Sequence, residues 1–163
     1  MKKTFVFLLI SIGMITYAQN IPMYVGTYNG EDSKGIYLYN FNTKTGELSN
    51  KKLAIEAVNP SFLTFSKDKK FLYAVSESDQ GSSVSAYKIN YNGSLTLLNQ
   101  VNSKGKGTCH VQLSKNGDEA VVSNYGGGNF AVFNINKDGS LQEAFQVIDH
   151  NIETKKAHTH SEN

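Results

Sequence analysis

The chain has 163 residues, enough for one domain with a sizeable core, and it carries 16 lysines and no arginine against 14 acidic residues. A nearly neutral, arginine-free surface argues against nucleic acid or anionic lipid as a partner. With Cys109 as its single cysteine, the chain has no internal disulfide, so stability has to come from packing.

Taken in chain order, residues 1–18 read as a secretory signal peptide. Lys2 and Lys3 make a positive start, Phe5 to Ile15 is almost wholly apolar, and Thr16-Tyr17-Ala18 puts small residues where a signal peptidase reads. The apolar run is too short for a bilayer span, and no later stretch is apolar enough to cross a membrane. The expectation is export to the periplasm or the outside of the cell, with cleavage near Ala18. Losing two lysines leaves the mature part, residues 19–163, with 14 lysines against 14 acids.

The mature part repeats itself. Phe62-Leu63-Thr64-Phe65-Ser66-Lys67 lies over His110-Val111-Gln112-Leu113-Ser114-Lys115 at an offset of 48, and Phe71 to Val75 falls on Glu119 to Ser123 at the same offset. Val84 to Ile89 falls on Phe130 to Ile135 at 46, and Gly93-Ser94-Leu95 on Gly139-Ser140-Leu141. An earlier copy shows in Tyr24-Val25-Gly26-Thr27, Ile36 to Tyr39 and Gly46-Glu47-Leu48. These short segments are rich in Val, Tyr, Phe, Ile and Thr, and turn formers such as Lys-Asn-Gly-Asp and Asn-Gly-Ser separate them. Four short strands recurring at a period in the forties are the signature of propeller blades. The fold class expected is therefore all-β, a β-propeller. Its blades run over about 22–57, 60–101 and 108–148, with the start of a fourth near 157. Tyr24 to Thr27 reads as the second strand of its blade, because it aligns with Leu72 to Val75. Three blades and a stub cannot close a ring, so the sequence reads as a truncated propeller with open strand edges.

The start of a blade's first strand and the end of its second lie at the same end of an antiparallel sheet. Residues there surround one mouth of the central channel. That places His110 and, 48 residues on, His158 at first-strand starts, with His160 on the same strand face as His158. Second-strand ends supply Glu77, Asn124 and Tyr125, followed by Gly126-Gly127-Gly128. His158 and His160 share a face as paired imidazole ligands do, but no Cys or Asp adjoins them and no metal is expected. The glycine triplet lacks the following Lys-Ser/Thr and helix of a phosphate loop. It suits a chain reversal or a close backbone approach instead. Glu77 also reads as a solvated loop carboxylate, and His150 carries no assignment.

Six motifs occur in order: Tyr24-Val25-Gly26-Thr27-Tyr28, Asn59-Pro60-Ser61-Phe62, Leu72-Tyr73-Ala74-Val75-Ser76-Glu77, Gly107-Thr108-Cys109-His110-Val111, Ser123 to Gly128, and Ala157-His158-Thr159-His160-Ser161. Together they resemble the lactonase family of seven-bladed propellers, which includes bacterial 6-phosphogluconolactonases. The resemblance implies a carboxylic ester hydrolase that acts on a lactone without a cofactor. It implies His110, His158 and His160 as the pocket histidines, with Glu77, Asn124 and Tyr125 beside them. Cys109 stands where many relatives have proline. Lys104 and Lys106 are the nearby cations for an anionic substrate.

A neutral imidazole can take a proton from water attacking a lactone carbonyl, and an amide such as Asn124 can donate to the developing oxyanion. The expected function is thus hydrolysis of a sugar lactone, with a small-molecule substrate and either His110 or His158 as base. Two other readings stay open: a non-catalytic propeller that binds a ligand or protein, and an inactive truncated product.

Overall fold

In the computed structural model, residues 19–78 and 81–150 are described. The expected signal peptide, the start of a fourth blade at 157, His158 and His160 all lie outside the described residues. Among the described residues, no helix is long and apolar enough to cross a membrane.

Among the described residues, eleven strands form three antiparallel sheets. The first holds β1 (Asn20–Gly26), β2 (Gly35–Asn42) and β3 (Leu48–Glu56), in that spatial order. The second holds β4 (Leu63–Phe65), β5 (Phe71–Ser76), β6 (Ser83–Ile89) and β7 (Leu95–Asn102). The third holds β8 (Thr108–Leu113), β9 (Glu119–Asn124), β10 (Asn129–Ile135) and β11 (Leu141–Asp149). Each is a meander in which neighbours in sequence are neighbours in space, as in a propeller blade.

The sequence repeat has a geometric counterpart in the turns. The hairpins into the outermost strands carry Gly46, Gly93 and Gly139 at φ of 79°, 80° and 87°, where a side chain would be strained. In the last two, the glycine N–H donates to the carbonyl of Asn90 or Asn136 at 2.9 Å. The outermost strand of each blade also slips by one residue against its neighbour, at Ile36/Tyr37, Ala86/Tyr87 and Val132/Phe133. Such bulges increase the local twist, which lets blades fan around an axis.

The middle blade is covered on both faces. Leu72, Ala74, Tyr87 and Leu95 pack with Ile36 and Ala54 of the first blade. Tyr73, Val75, Val84 and Ala86 pack with Val111, Ala120, Val122, Ala131 and Phe133 of the third. Successive residues of β5 therefore belong to different interfaces, the period-2 alternation of a strand put to use on both sides. This is why Phe71 to Val75 reads as an unbroken apolar run rather than an alternating one.

Side-chain direction corrects one alignment by a residue. Tyr24 of β1 donates its hydroxyl to the carbonyl of Gly93 at 2.7 Å, across to the second blade. Tyr73 of β5 donates to the carbonyl of Gly139 at 2.9 Å, across to the third. The two tyrosines make the same interblade lock, so Tyr24 corresponds to Tyr73 and not to Leu72. The rejected register would turn every side chain of β1 to the wrong face. With the shift, Tyr28, Glu77 and Tyr125 occupy equivalent positions.

Candidate functional site at the channel mouth

The end of β9 meets the start of β8, with Thr108 opposite Asn124 and His110 opposite Ser123. His110 and the second-strand ends therefore share one end of the sheets. Phe62, just before β4, occupies in the second blade the place His110 takes in the third. Their rings touch, with centroids 4.3 Å apart and planes at 51°. His110 is half-buried there, and neither ring nitrogen hydrogen bonds to a described residue. Its imidazole is thus held by packing, with neither nitrogen committed to a described residue.

Beside it, the Tyr28 hydroxyl donates to Glu77 Oε2 at 2.5 Å. That hydrogen bond to a carboxylate pushes the phenol's pKa up, as do slight desolvation and the negative charge of Glu77. The Ser61 hydroxyl and the Cys109 thiol lie within interaction range of the same phenol. Ser61 Oγ is shut off from solvent and forms no hydrogen bond of normal geometry with a described residue. The backbone below is clamped. Asn29 and Asn59 each donate a main-chain N–H to the other's side-chain oxygen. Asn59 Nδ2 also donates to the Glu77 carbonyl at 3.1 Å, and the Glu77 N–H returns a bond of 3.1 Å to the Asn59 carbonyl. Tyr28 is 59% exposed, so its ring and hydroxyl are open to a ligand. Strand spacing alone does not point to Tyr28, although it closes the first of the six motifs. The signal that finds it is the corrected register, which sets it level with Glu77.

The other candidates sit differently. Asn124 is 1% exposed, and both ends of its amide are taken up inside the protein. Its Oδ1 accepts from Thr108 Oγ1 at 2.5 Å and its Nδ2 donates to the Ser103 carbonyl at 2.8 Å. Ser76, one blade earlier, donates in the same way to the Val58 carbonyl at 2.8 Å. Both residues tie a second-strand end to the incoming interblade connector. Tyr125 is 88% exposed and is anchored through its N–H to the Gly107 carbonyl at 3.0 Å. The glycine triplet lies against that connector, with the Gly127 N–H donating to the Lys106 carbonyl at 3.0 Å. A Cβ on Gly126 or Gly127 would crowd Lys106 backbone atoms, so the close approach expected there is made by the protein's own loop. Lys106 is exposed, whereas Lys104 Nζ pairs with Glu143 Oε2 of β11 at 2.7 Å. Among the described residues, no cluster of three or more His, Cys, Asp or Glu side chains could hold a metal ion.

Residues 22–163 match the family model described as Lactonase, 7-bladed beta-propeller. The chain belongs to this family. It is 35% identical to a 6-phosphogluconolactonase of Bacillus subtilis over 84% of its own length and 41% of that protein's. It superposes on a putative 6-phosphogluconolactonase from Bacteroides uniformis with a TM-score of 0.74 at 36% identity, covering 81% of this chain and 38% of that one. The periplasmic gluconolactonase of Pseudomonas aeruginosa gives a TM-score of 0.72 at 30% identity, with 80% and 38% covered. The chain spans about two-fifths of the length of the relatives it matches.

Proposed function

We propose that the whole protein of which these blades form part hydrolyses a sugar lactone, without a metal, at this mouth. Names carried by relatives supply the reaction class, and the placement of His110 supports a mechanism. Its imidazole stands at the mouth with neither nitrogen bonded to a described residue, where it can take a proton from water as that water attacks the lactone carbonyl. His158 is the other candidate for the same role. The ring-opened ester leaves as a hydroxy acid, and the proton taken by the base returns to the departing alkoxide.

The reading favours an unphosphorylated lactone. Glu77 puts a carboxylate at the mouth, and Lys104 is already paired with Glu143, which leaves Lys106 as the nearby cation among the described residues. That set has no surplus positive charge to attract a doubly charged phosphate. An exported enzyme, as the leader expects, would also meet free sugar lactones rather than cytoplasmic sugar phosphates.

The decisive experiment measures hydrolysis of glucono-1,5-lactone by the whole protein. His110→Ala is expected to lower kcat/KM by about a hundredfold, the usual contribution of a general base. Wild-type kcat/KM in both His110→Ala and His158→Ala would remove the imidazole mechanism. An inactive wild-type enzyme would remove the lactonase reading itself.

A further inference from the structure

We propose that Tyr28 is a positioning residue that fixes the Glu77 carboxylate to accept hydrogen bonds from the hydroxyl groups of a polyhydroxylated substrate. For its substrate class this rests on the lactonase reading of the same mouth.

Three observations carry it. First, the two residues come from different blades but from equivalent positions, each just past the end of a second strand, and they meet at 2.5 Å. A carboxylate accepts through two oxygens, and Tyr28 occupies one position on Oε2. The other oxygen and the remaining lone pair are left to accept from donors in the mouth. Sugar hydroxyls are such donors. Second, the backbone carrying Glu77 is held at both its N–H and its carbonyl by Asn59, which is itself locked to Asn29. The carboxylate therefore has a fixed base and a fixed tip, the preorganisation that a specificity contact needs. A solvated surface glutamate has neither. Third, the Ser61 hydroxyl lies within interaction range of the Tyr28 phenol, so the tyrosine that braces Glu77 is itself contacted from the Asn59-Pro60-Ser61 connector.

The division of labour follows from chemistry. His110 touches the reacting water in the proposed mechanism, whereas Glu77, held by Tyr28, would grip hydroxyls remote from the carbonyl. Such contacts are present alike in ground and transition states and act on KM rather than kcat.

The test uses the whole protein and gluconate, the open-chain polyhydroxy acid, which binds without reacting. Hexanoate, with the carboxylate and no hydroxyls, is the control. Calorimetry is expected to show Tyr28→Phe weakening gluconate about fivefold and Glu77→Gln about tenfold or more. The ratio of gluconate to hexanoate affinity should fall by the same factors. With glucono-1,5-lactone, Tyr28→Phe should raise KM about fivefold while kcat moves less than twofold. A thermal melt of Tyr28→Phe like the wild type shows that the effect is local, as expected for an exposed side chain. The inference is overturned if the wild type does not bind gluconate, if Tyr28→Phe leaves gluconate affinity unchanged, or if both ligands weaken equally. Gluconate binding that depends on Tyr28, in a protein that hydrolyses no lactone, would sustain this inference and overturn the lactonase reading alone.

Discussion

Tyr73 shows how far burial governs single residues in this fold. Its side chain is 1% exposed, and its hydroxyl donates to the Gly139 carbonyl in the next blade. Burial, with smaller contributions from the Asp68 and Asp138 carboxylates, raises its pKa from the ordinary 10.0 to about 12. The protonated phenol is the form the fold favours. The group's contribution to stability is therefore complete below pH 10 and is lost as pH rises from 10 towards 12. Denaturant midpoints measured between pH 8 and 12 should fall across that window in the wild type. In Tyr73→Phe the fall should be shallower, from a lower starting stability, because the Gly139 carbonyl loses its donor. Parallel pH curves would show that the phenol does not titrate with unfolding. Asn124 makes the complementary point. Sequence marks it as an amide at a second-strand end, but only coordinates show its two polar ends consumed by Thr108 and Ser103. Spacing along a strand reports position, and it carries no information on whether a polar group is already satisfied.

Among the elements, the blades were legible from sequence because their repeat preserves both side-chain type and turn chemistry. Phe71 to Val75 and Glu119 to Ser123 superpose without a gap, and the Asn-Gly-Ser and Asp-Gly-Ser turns mark the outer hairpins. The first blade was legible only to within one residue. Its β1 ends at Gly26, which has no side chain to show a face, so alignment by residue type sets Tyr24 on Leu72 instead of Tyr73. The reason for that glycine is steric. A Cβ at Gly26 would collide with the carbonyl oxygen of Pro60, in the connector between the first and second blades. Gly26→Ala has no flexible side chain to push aside there, so the connector itself has to move. A loss of about 2 kcal/mol or more is expected in denaturant unfolding, within the range for overpacking against a fixed neighbour. Gly30→Ala is the control, since nothing lies within 4 Å of its Cβ position. Equal effects of the two substitutions would mean that the Pro60 contact is not what requires glycine.

At the scale of the molecule, the two core clusters make the middle blade the part most completely withdrawn from water. All of Leu72 to Ser76 in β5 and Val84 to Tyr87 in β6 are buried, because one set of side chains faces the first blade and the alternate set the third. The outer strand β3 is the opposite extreme, with Ala54 its one buried residue. Amide hydrogen exchange reports the free energy of the opening that frees each N–H, and openings that expose little apolar surface come easily. Blade-edge strands such as β3 can fray while β5 and β6 stay paired, since fraying β3 gives up few apolar contacts beyond those of Ala54 and Ile55. In the whole protein, β5 and β6 should therefore exchange slowest among these strands. The β3 amides should exchange at least about a hundredfold faster, a gap of about 2.7 kcal/mol in opening free energy. Val75→Ala should reduce the protection of β5 and of the third blade's inner strands together, because Val75 belongs to the cluster containing Val111, Ala120 and Val122. Ala74→Gly, on the opposite face of the same strand, should spread instead towards the first blade, where Ala74 packs with Ile36 and Ala54. Identical protection patterns in the two variants would mean that the blades open as one unit and that the two faces of β5 are not separate energetic interfaces.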